Sequence, residues 1–116
     1  MPLPKNRRIK REKDFERVFK TGRALKHPLF LLKFLKTDLS YCRMAVTVPI
    51  SLSKKSVERN KIKRIFWAAL SAIFPRCRSG VDLILVPSPA AVEKSLAQIT
   101  RSLEDIFIKA NIVQVN

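Results

Sequence analysis

A block of basic side chains at residues 54–64, KKSVERNKIKR, has the residue types best suited to chemistry with an anion. It holds six basic residues and one acid, Glu58. Like charges three or four residues apart on a helix repel by about 0.2–0.5 kcal/mol per pair, and a bound polyanion would offset that cost. A solvated helix face is the alternative. We predict phosphate binding by Lys54, Lys55, Arg59, Lys61, Lys63 and Arg64, with Asn60 adding hydrogen bonds.

The acidic residues do not predict a catalytic site. Asp14 and Glu16 stand two apart and therefore diverge on a helix, while Glu104 and Asp105 are typical of a solvated face. The sequence also lacks the nucleophile, P-loop and zinc-protease motifs. If the chain takes part in a reaction, another molecule supplies the reacting groups.

The two cysteines and the single histidine do not predict a zinc site. Cys42 and Cys77 are far apart in sequence and form no CxxC motif, and His27 is the only histidine. We interpret both cysteines as buried free thiols of a protein in a reducing compartment.

The net charge indicates the class of partner. The chain has 116 residues, 47% apolar content and a formal charge of +15, which fits one domain that binds polyanions. Nucleic acid is the leading partner class and an anionic membrane the second. No apolar signal segment or membrane span is present, so we expect a soluble cytoplasmic protein that does not enter membranes.

The first half of the chain predicts a helix followed by strands. Residues 1–8 are expected to form a loose basic arm. Apolar residues at i, i+3 and i+4 predict a helix over residues 12–20 that ends at Gly22. Residues 29–37 and 42–48 predict two antiparallel strands joined by a short turn, with a weaker strand signal near residues 23–25.

The second half predicts helix, strand, helix. The second helix should run from Ser56 to Phe74 and stop before Pro75. The apolar run at residues 80–87 predicts a central strand. Ser88 is then the expected N-cap of a last helix. The expected fold is an α+β two-layer sandwich, mainly antiparallel, in the order α-β-β-(β)-α-β-α.

Three aromatic residues have two open interpretations each. Trp67 lies on the same side of the second helix as Arg64, where it could stack on a base or pack partly against a strand. Phe15 and Phe19 fit the core face of the first helix, and they could also stack on single-stranded bases beside an open groove.

The sequence RNKIKR, residues 59–64, resembles the Arg-Asn-Arg-x-Lys-Arg helix of the bacterial ribonuclease P protein subunit. The resemblance extends along nearly the whole chain through the Phe-x-x-x-Phe helix, the strand MAVTV and the strand DLILV. The resemblance implies a left-handed βαβ crossover in the fold. It also implies that the chain assists a catalytic RNA that removes the 5′ leader from precursor tRNA. Catalysis would belong to the RNA, with Mg²⁺ bound mainly through it, and no obligate protein partner is expected.

The resemblance also implies residue roles. The residues 59–64 helix would contact the catalytic RNA and help to order metal ions through Arg59, Asn60, Lys61, Lys63 and Arg64. The cleft for the single-stranded leader would be lined by Phe15 and Phe19, with Phe30 or Phe34 as companions from the adjacent strand.

Several positions depart from the family pattern. Lys61 replaces an arginine and so loses the forked donor. The expected Lys-Lys pair aligns with residues 50–51, whereas SKK appears at residues 53–55. Trp67-Ala68 replaces Arg-Glu, and Ser88 stands where a basic residue is expected.

Two alternative functions stay open from the sequence. One is a generic RNA-binding or ribosomal protein without a role in cleavage. The other is a DNA-binding module whose second helix enters a major groove.

Overall fold

Three helices and four strands make up the computed structural model, which describes residues 5–113. The elements in chain order are α1 Glu12–Thr21, β1 Arg23–His27, β2 Phe30–Lys36, β3 Arg43–Val46, α2 Ser56–Ile73, β4 Val81–Pro87 and α3 Leu96–Lys109. The predicted α+β class and element order are confirmed, and the weak strand signal near residue 23 is a true strand. None of the helices in these residues is both long and apolar enough to cross a membrane.

The strand order in the sheet is β1-β2-β4-β3. The predicted antiparallel pairing of β2 with β3 is therefore wrong, because β4 lies between them. β4 pairs antiparallel with β2 and parallel with β3, and α2 connects the two parallel strands. The physical reason is burial: six of the seven residues of β4 are buried, so this strand takes the sheet centre, where both faces are covered.

The two faces of the sheet carry two separate cores. Helices α2 and α3 cover one face and enclose the larger core, which includes Phe30, Leu32 and Phe34 of β2. Helix α1 and the N-terminal segment cover part of the other face, where Ile84 and Ala45 are buried. Successive residues of a strand point to opposite faces, so β2 contributes to both.

Helix α1 is fastened to the sheet near both of its ends. Near its start, Arg43 donates to Asp82 from Nε at 2.9 Å and from Nη2 at 2.5 Å, and from Nη1 to Asp14 at 3.2 Å. At its end, a Cβ on Gly22 would lie 2.7 Å from the carbonyl oxygen of Phe34, so only glycine permits this close approach. The position of α1 over the sheet is thus defined at two points.

Helix α3 begins later than the sequence predicts. Pro89–Ala91 forms a short 3₁₀ turn, and α3 starts after Ser95, whose hydroxyl accepts from the Gln98 backbone N–H at 3.2 Å. The Gln98 side chain accepts from the Ser95 N–H at 2.9 Å, which completes a capping box. Proline after serine is a common helix start, but here it initiates only one turn.

The prediction of a loose arm at residues 1–8 is corrected where the structure describes it. Residues 1–4 lie outside the described residues. Lys5–Arg7 forms a 3₁₀ turn, Arg8 forms a parallel bridge with Met44, and the Ile9 N–H donates to the Met44 carbonyl at 2.9 Å. The segment from residue 5 onward therefore packs along the outer edge of β3, because Ile9 supplies a buried anchor.

Candidate nucleic-acid interface

A basic groove of ≈ 850 Å³ lies between α2 and the N-terminal segment. We call it the helix groove. Its lining residues are Arg8, Asn60, Lys63, Arg64, Trp67, Ala68 and Ser71. Among the residues that the structure describes, none of the ion pairs involves Lys63 or Arg64. The groove thus presents cationic side chains, an amide and an indole along one helix face.

The packing of α2 explains why these side chains face outward. Ile62, Phe66 and Ile73 are buried against the sheet and α3, and Phe66 meets Phe30 edge to face at 6.2 Å between ring centroids. Residues on the opposite side of a helix with 3.6 residues per turn must then face solvent. Burial of the apolar stripe consequently fixes the orientation of Asn60 and Arg64.

The structure separates the other residues of the basic block from the helix groove. Arg59 is half-buried and its Nη1 donates to the Ser53 carbonyl at 2.7 Å, while the Ser53 hydroxyl lies 2.5 Å from Oε1 of Glu58. Arg59 therefore also fixes the loop before α2. The remaining cations are exposed and lie outside the groove lining: Lys54, Lys55 and Lys61.

Trp67 combines features of both of its interpretations. It is half-buried and packs against the larger core, and it also lines the helix groove. The Arg8 guanidinium carbon lies 5.1 Å from the Trp67 ring centroid, a cation–π contact. Partial packing is therefore observed, and stacking on a base stays a prediction.

A second basic groove, of ≈ 620 Å³, continues from the first because Arg8 lines both. We call it the N-terminal groove. It is lined by Asn6, Arg8, Lys10, Arg11, Asp14, Arg17, Thr37, Asp38, Leu39, Tyr41 and Arg43. None of these was among the residues predicted to bind RNA. The signal was present in the sequence, since residues 1–26 hold ten basic and three acidic side chains.

Helix α1 and the neighbouring sheet surface form a third candidate surface, which we call the open sheet face. Its residues are Phe15 and Phe19 of α1, Leu31 and Lys33 of β2, and Val86 of β4. Phe15 and Val86 are half-buried against the smaller core, and Phe19 is 40% exposed. Leu31 pairs with Val86 and Lys33 with Ile84, and directly paired residues share a face of a sheet. Aromatic, aliphatic and cationic groups are thus brought onto one partly open surface.

The expectation that Phe30 or Phe34 lines the same cleft as Phe15 is wrong. Phe30 is fully buried and Phe34 is 8% exposed, and both belong to the core on the face covered by α2 and α3. The reason is the alternation of β2, which points Phe30, Leu32 and Phe34 one way and Leu31, Lys33 and Leu35 the other. Lys33, which interrupts the apolar run, marked the less buried face.

Comparison with known proteins identifies the family. The family model for ribonuclease P matches residues 3–111. The chain belongs to the ribonuclease P protein family. The ribonuclease P protein component of Nostoc punctiforme is 31% identical and the alignment covers 100% of this chain and 99% of that protein. That of Synechocystis sp. is 30% identical over 97% and 92% of the two chains.

Solved ribonuclease P proteins share the fold. A Staphylococcus aureus RNase P protein mutant with defective mRNA degradation activity matches at a TM-score of 0.84 and 28% identity, covering 93% of this chain and 91% of that one. The Thermotoga maritima RNase P protein matches at a TM-score of 0.79 and 22% identity, covering 88% of this chain and 96% of that one. This match supports the fold. The function of this chain is that of the protein component of the tRNA-processing ribonuclease P holoenzyme, in association with the ribonuclease P RNA.

The described residues of this ribonuclease P family member do not fit a protein-bound Mg²⁺ site. They contain no group of three or more His, Cys, Asp or Glu side chains arranged to hold a metal ion. The two most enclosed carboxylates, Asp82 and Asp14, both accept hydrogen bonds from Arg43. The Asp82 hydrogen bond, opposed by burial, raises the pKa of Arg43, so this guanidinium stays charged and paired.

Proposed function

We propose that the helix groove binds the phosphate backbone of the catalytic RNA. The observation that carries the proposal is the placement of Asn60, Lys63 and Arg64 in one groove opposite the buried stripe of α2. Arginine forks onto phosphate oxygens, lysine adds a point charge, and the amide adds a directional hydrogen bond. Exposed Lys54, Lys55 and Lys61 extend the positive field around the helix.

The same RNA surface continues into the N-terminal groove. Arg8 joins the two grooves, and Lys10, Arg11 and Arg17 are exposed along the second. Arg43 is a weaker candidate for a phosphate ligand than these exposed cations, because three hydrogen bonds already pair it with Asp82 and Asp14. Neutralising phosphates along a track of this kind releases counterions, and that release supplies much of the binding free energy.

The open sheet face receives the single-stranded 5′ leader of precursor tRNA. Two features support this role: Phe19 exposes 40% of its surface, and Lys33 lies on the same sheet face as the half-buried Leu31. Exposed aromatic rings stack on unpaired bases, and nearby lysines contact the phosphates between them. The protein would then hold the leader while the RNA subunit cleaves the phosphodiester bond.

The active-site Mg²⁺ is bound mainly by the RNA, and the holoenzyme acts in the cytoplasm. The cationic side chains of the helix groove support the first point, because such groups screen phosphates and do not ligate a metal cation. Screening of phosphate repulsion by the protein lowers the Mg²⁺ concentration at which the RNA folds and binds substrate.

Reconstitution tests the proposal. Cleavage of precursor tRNA by the cognate catalytic RNA is measured at low Mg²⁺ with and without the full-length protein. We expect the protein to raise the cleavage rate and the affinity for leader-bearing substrate. Absence of stimulation, with normal RNA binding, would favour a generic RNA-binding protein instead.

A further inference from the structure

The two cysteines face one cavity, although β3 and α2 separate them in sequence. Cys42 and Cys77 line the same cavity of ≈ 210 Å³, together with Arg7, Tyr41 and Phe74. The chain is fixed in this arrangement, because the Gly80 N–H donates to the Tyr41 carbonyl at 3.2 Å and the Cys77 N–H to the Phe74 carbonyl at 3.0 Å. Convergence of the two thiols is therefore a property of the fold.

The environments of the two thiols differ. Cys42 is 4% exposed, whereas Cys77 is half-buried and easier to reach from the cavity. The hydrogen bond with the Cys77 thiol and burial raise the pKa of Cys42, with the Arg7 charge acting in the opposite direction. While Cys77 is a free thiol, Cys42 therefore stays protonated, and the more accessible Cys77 is the thiol that reacts first with an oxidant.

We propose that Cys42 and Cys77 are a redox-active pair that forms a reversible intramolecular disulfide with small disulfides of the glutathione class. The Cys77 thiolate attacks one sulfur of the oxidant, whose S–S bond breaks to release one thiol. Cys42 then loses its proton and attacks the Cys77 sulfur of the mixed disulfide, which releases the second thiol. The oxidant gains two electrons and two protons, and the protein loses the same number.

The disulfide would close a loop that contains all of β3 and the RNA-facing helix α2. A cross-link across a loop of this kind restricts the unfolded chain more than the folded one. The oxidised protein should therefore unfold at a higher urea concentration than the reduced protein.

Redox equilibration of the full-length wild-type chain tests the proposal. The protein is equilibrated with mixtures of reduced and oxidised glutathione, quenched with acid, and analysed by mass spectrometry after alkylation. We expect a monomer lighter by two hydrogen atoms, with one peptide pair joining Cys42 to Cys77. The same chain in urea is the matched reference, because only the fold distinguishes the two samples.

The equilibrium constant for disulfide formation should be at least about tenfold larger in the native chain than in urea. For this two-electron couple, that is a difference of about 30 mV in reduction potential. Cys77→Ser should take up no more than a trace of glutathione at Cys42, because Cys42 is buried. Equal constants in the two conditions, glutathione on both cysteines of the native wild type, or a disulfide-linked dimer as the main product would overturn the proposal.

Discussion

The helix groove and the open sheet face are both candidate RNA surfaces, yet they are built in opposite ways. The helix groove presents charge: Lys63 and Arg64 project from a helix whose other side buries Ile62, Phe66 and Ile73. The open sheet face presents rings and aliphatic groups around one lysine, Lys33. Phosphate contacts carry affinity without sequence information, whereas stacking requires unpaired bases. Under the proposed function, affinity for the RNA and selectivity for a leader therefore lie in different regions of the molecule.

The largest expected effect tests which aromatic residues belong to the core. Phe30→Ala should lower the free energy of unfolding by about 3–5 kcal/mol, since it removes a fully buried ring. That ring stacks on His27 with 4.5 Å between the ring centroids. Urea unfolding measures the loss. If the Phe30→Ala variant were stable and bound leader-bearing tRNA selectively more weakly, Phe30 would contact the leader and the core assignment would be wrong.

The next effect concerns charge in the helix groove. The double variant Lys63→Ala/Arg64→Ala should bind the catalytic RNA at least about tenfold more weakly, with the log–log salt slope reduced by about 0.7–0.9 per lost phosphate contact. Titrations at several salt concentrations measure both quantities. Arg101→Ala/Lys109→Ala removes two exposed charges from α3, outside both grooves, as the control. An equal change in slope in this control would mean that net charge matters and position does not.

A smaller effect tests the open sheet face. Phe19→Leu should weaken binding of leader-bearing tRNA to the holoenzyme by about three- to tenfold, because part of a stacking contact of about 1–3 kcal/mol is lost. Mature tRNA should bind as before. Ile108→Ala on α3, also 40% exposed, is the matched control. Equal weakening for both tRNAs would assign Phe19 to packing alone.

The smallest effect is expected at Trp67. Trp67→Leu removes the ring beneath Arg8, a contact of about 0.5–1 kcal/mol, and keeps much of the apolar packing. The urea midpoint should fall slightly, and RNA affinity should change by less than about threefold if no base stacks there. A larger loss of affinity at an unchanged urea midpoint would show that Trp67 contacts a base.

Local pattern predicted the helices that bear the charge but could not predict how distant segments meet. The spacing of Ile62, Phe66 and Ile73, with Pro75 after them, placed α2 within one residue of its end. Strand order was not encoded locally, because β3 and β4 become neighbours only through the crossover of α2. The meeting of Cys42 with Cys77 has the same origin, since it depends on that crossover.

The sequence predicted only part of the candidate site, again because local pattern does not show which distant segments meet. Asn60, Lys63 and Arg64 share one groove as the helical spacing indicated, and Arg8 joins them from a segment that had been expected to be loose. Phe30 and Phe34 were assigned to the leader surface by residue type, whereas the alternation of β2 decides the face. The charged Lys33, two residues from Leu31 in that strand, indicates which face of β2 is the less buried one.

The two-point attachment of α1 has a consequence for how a leader is recognised. Asp14 joins the helix to Arg43 at one end, and the close approach of Gly22 to Phe34 holds the other, with Phe15 and Phe19 between them. Under the proposed function, a helix secured in this way needs little rearrangement to bind RNA. The stacking free energy is then available to the complex in full, because little conformational entropy is spent on ordering the protein wall.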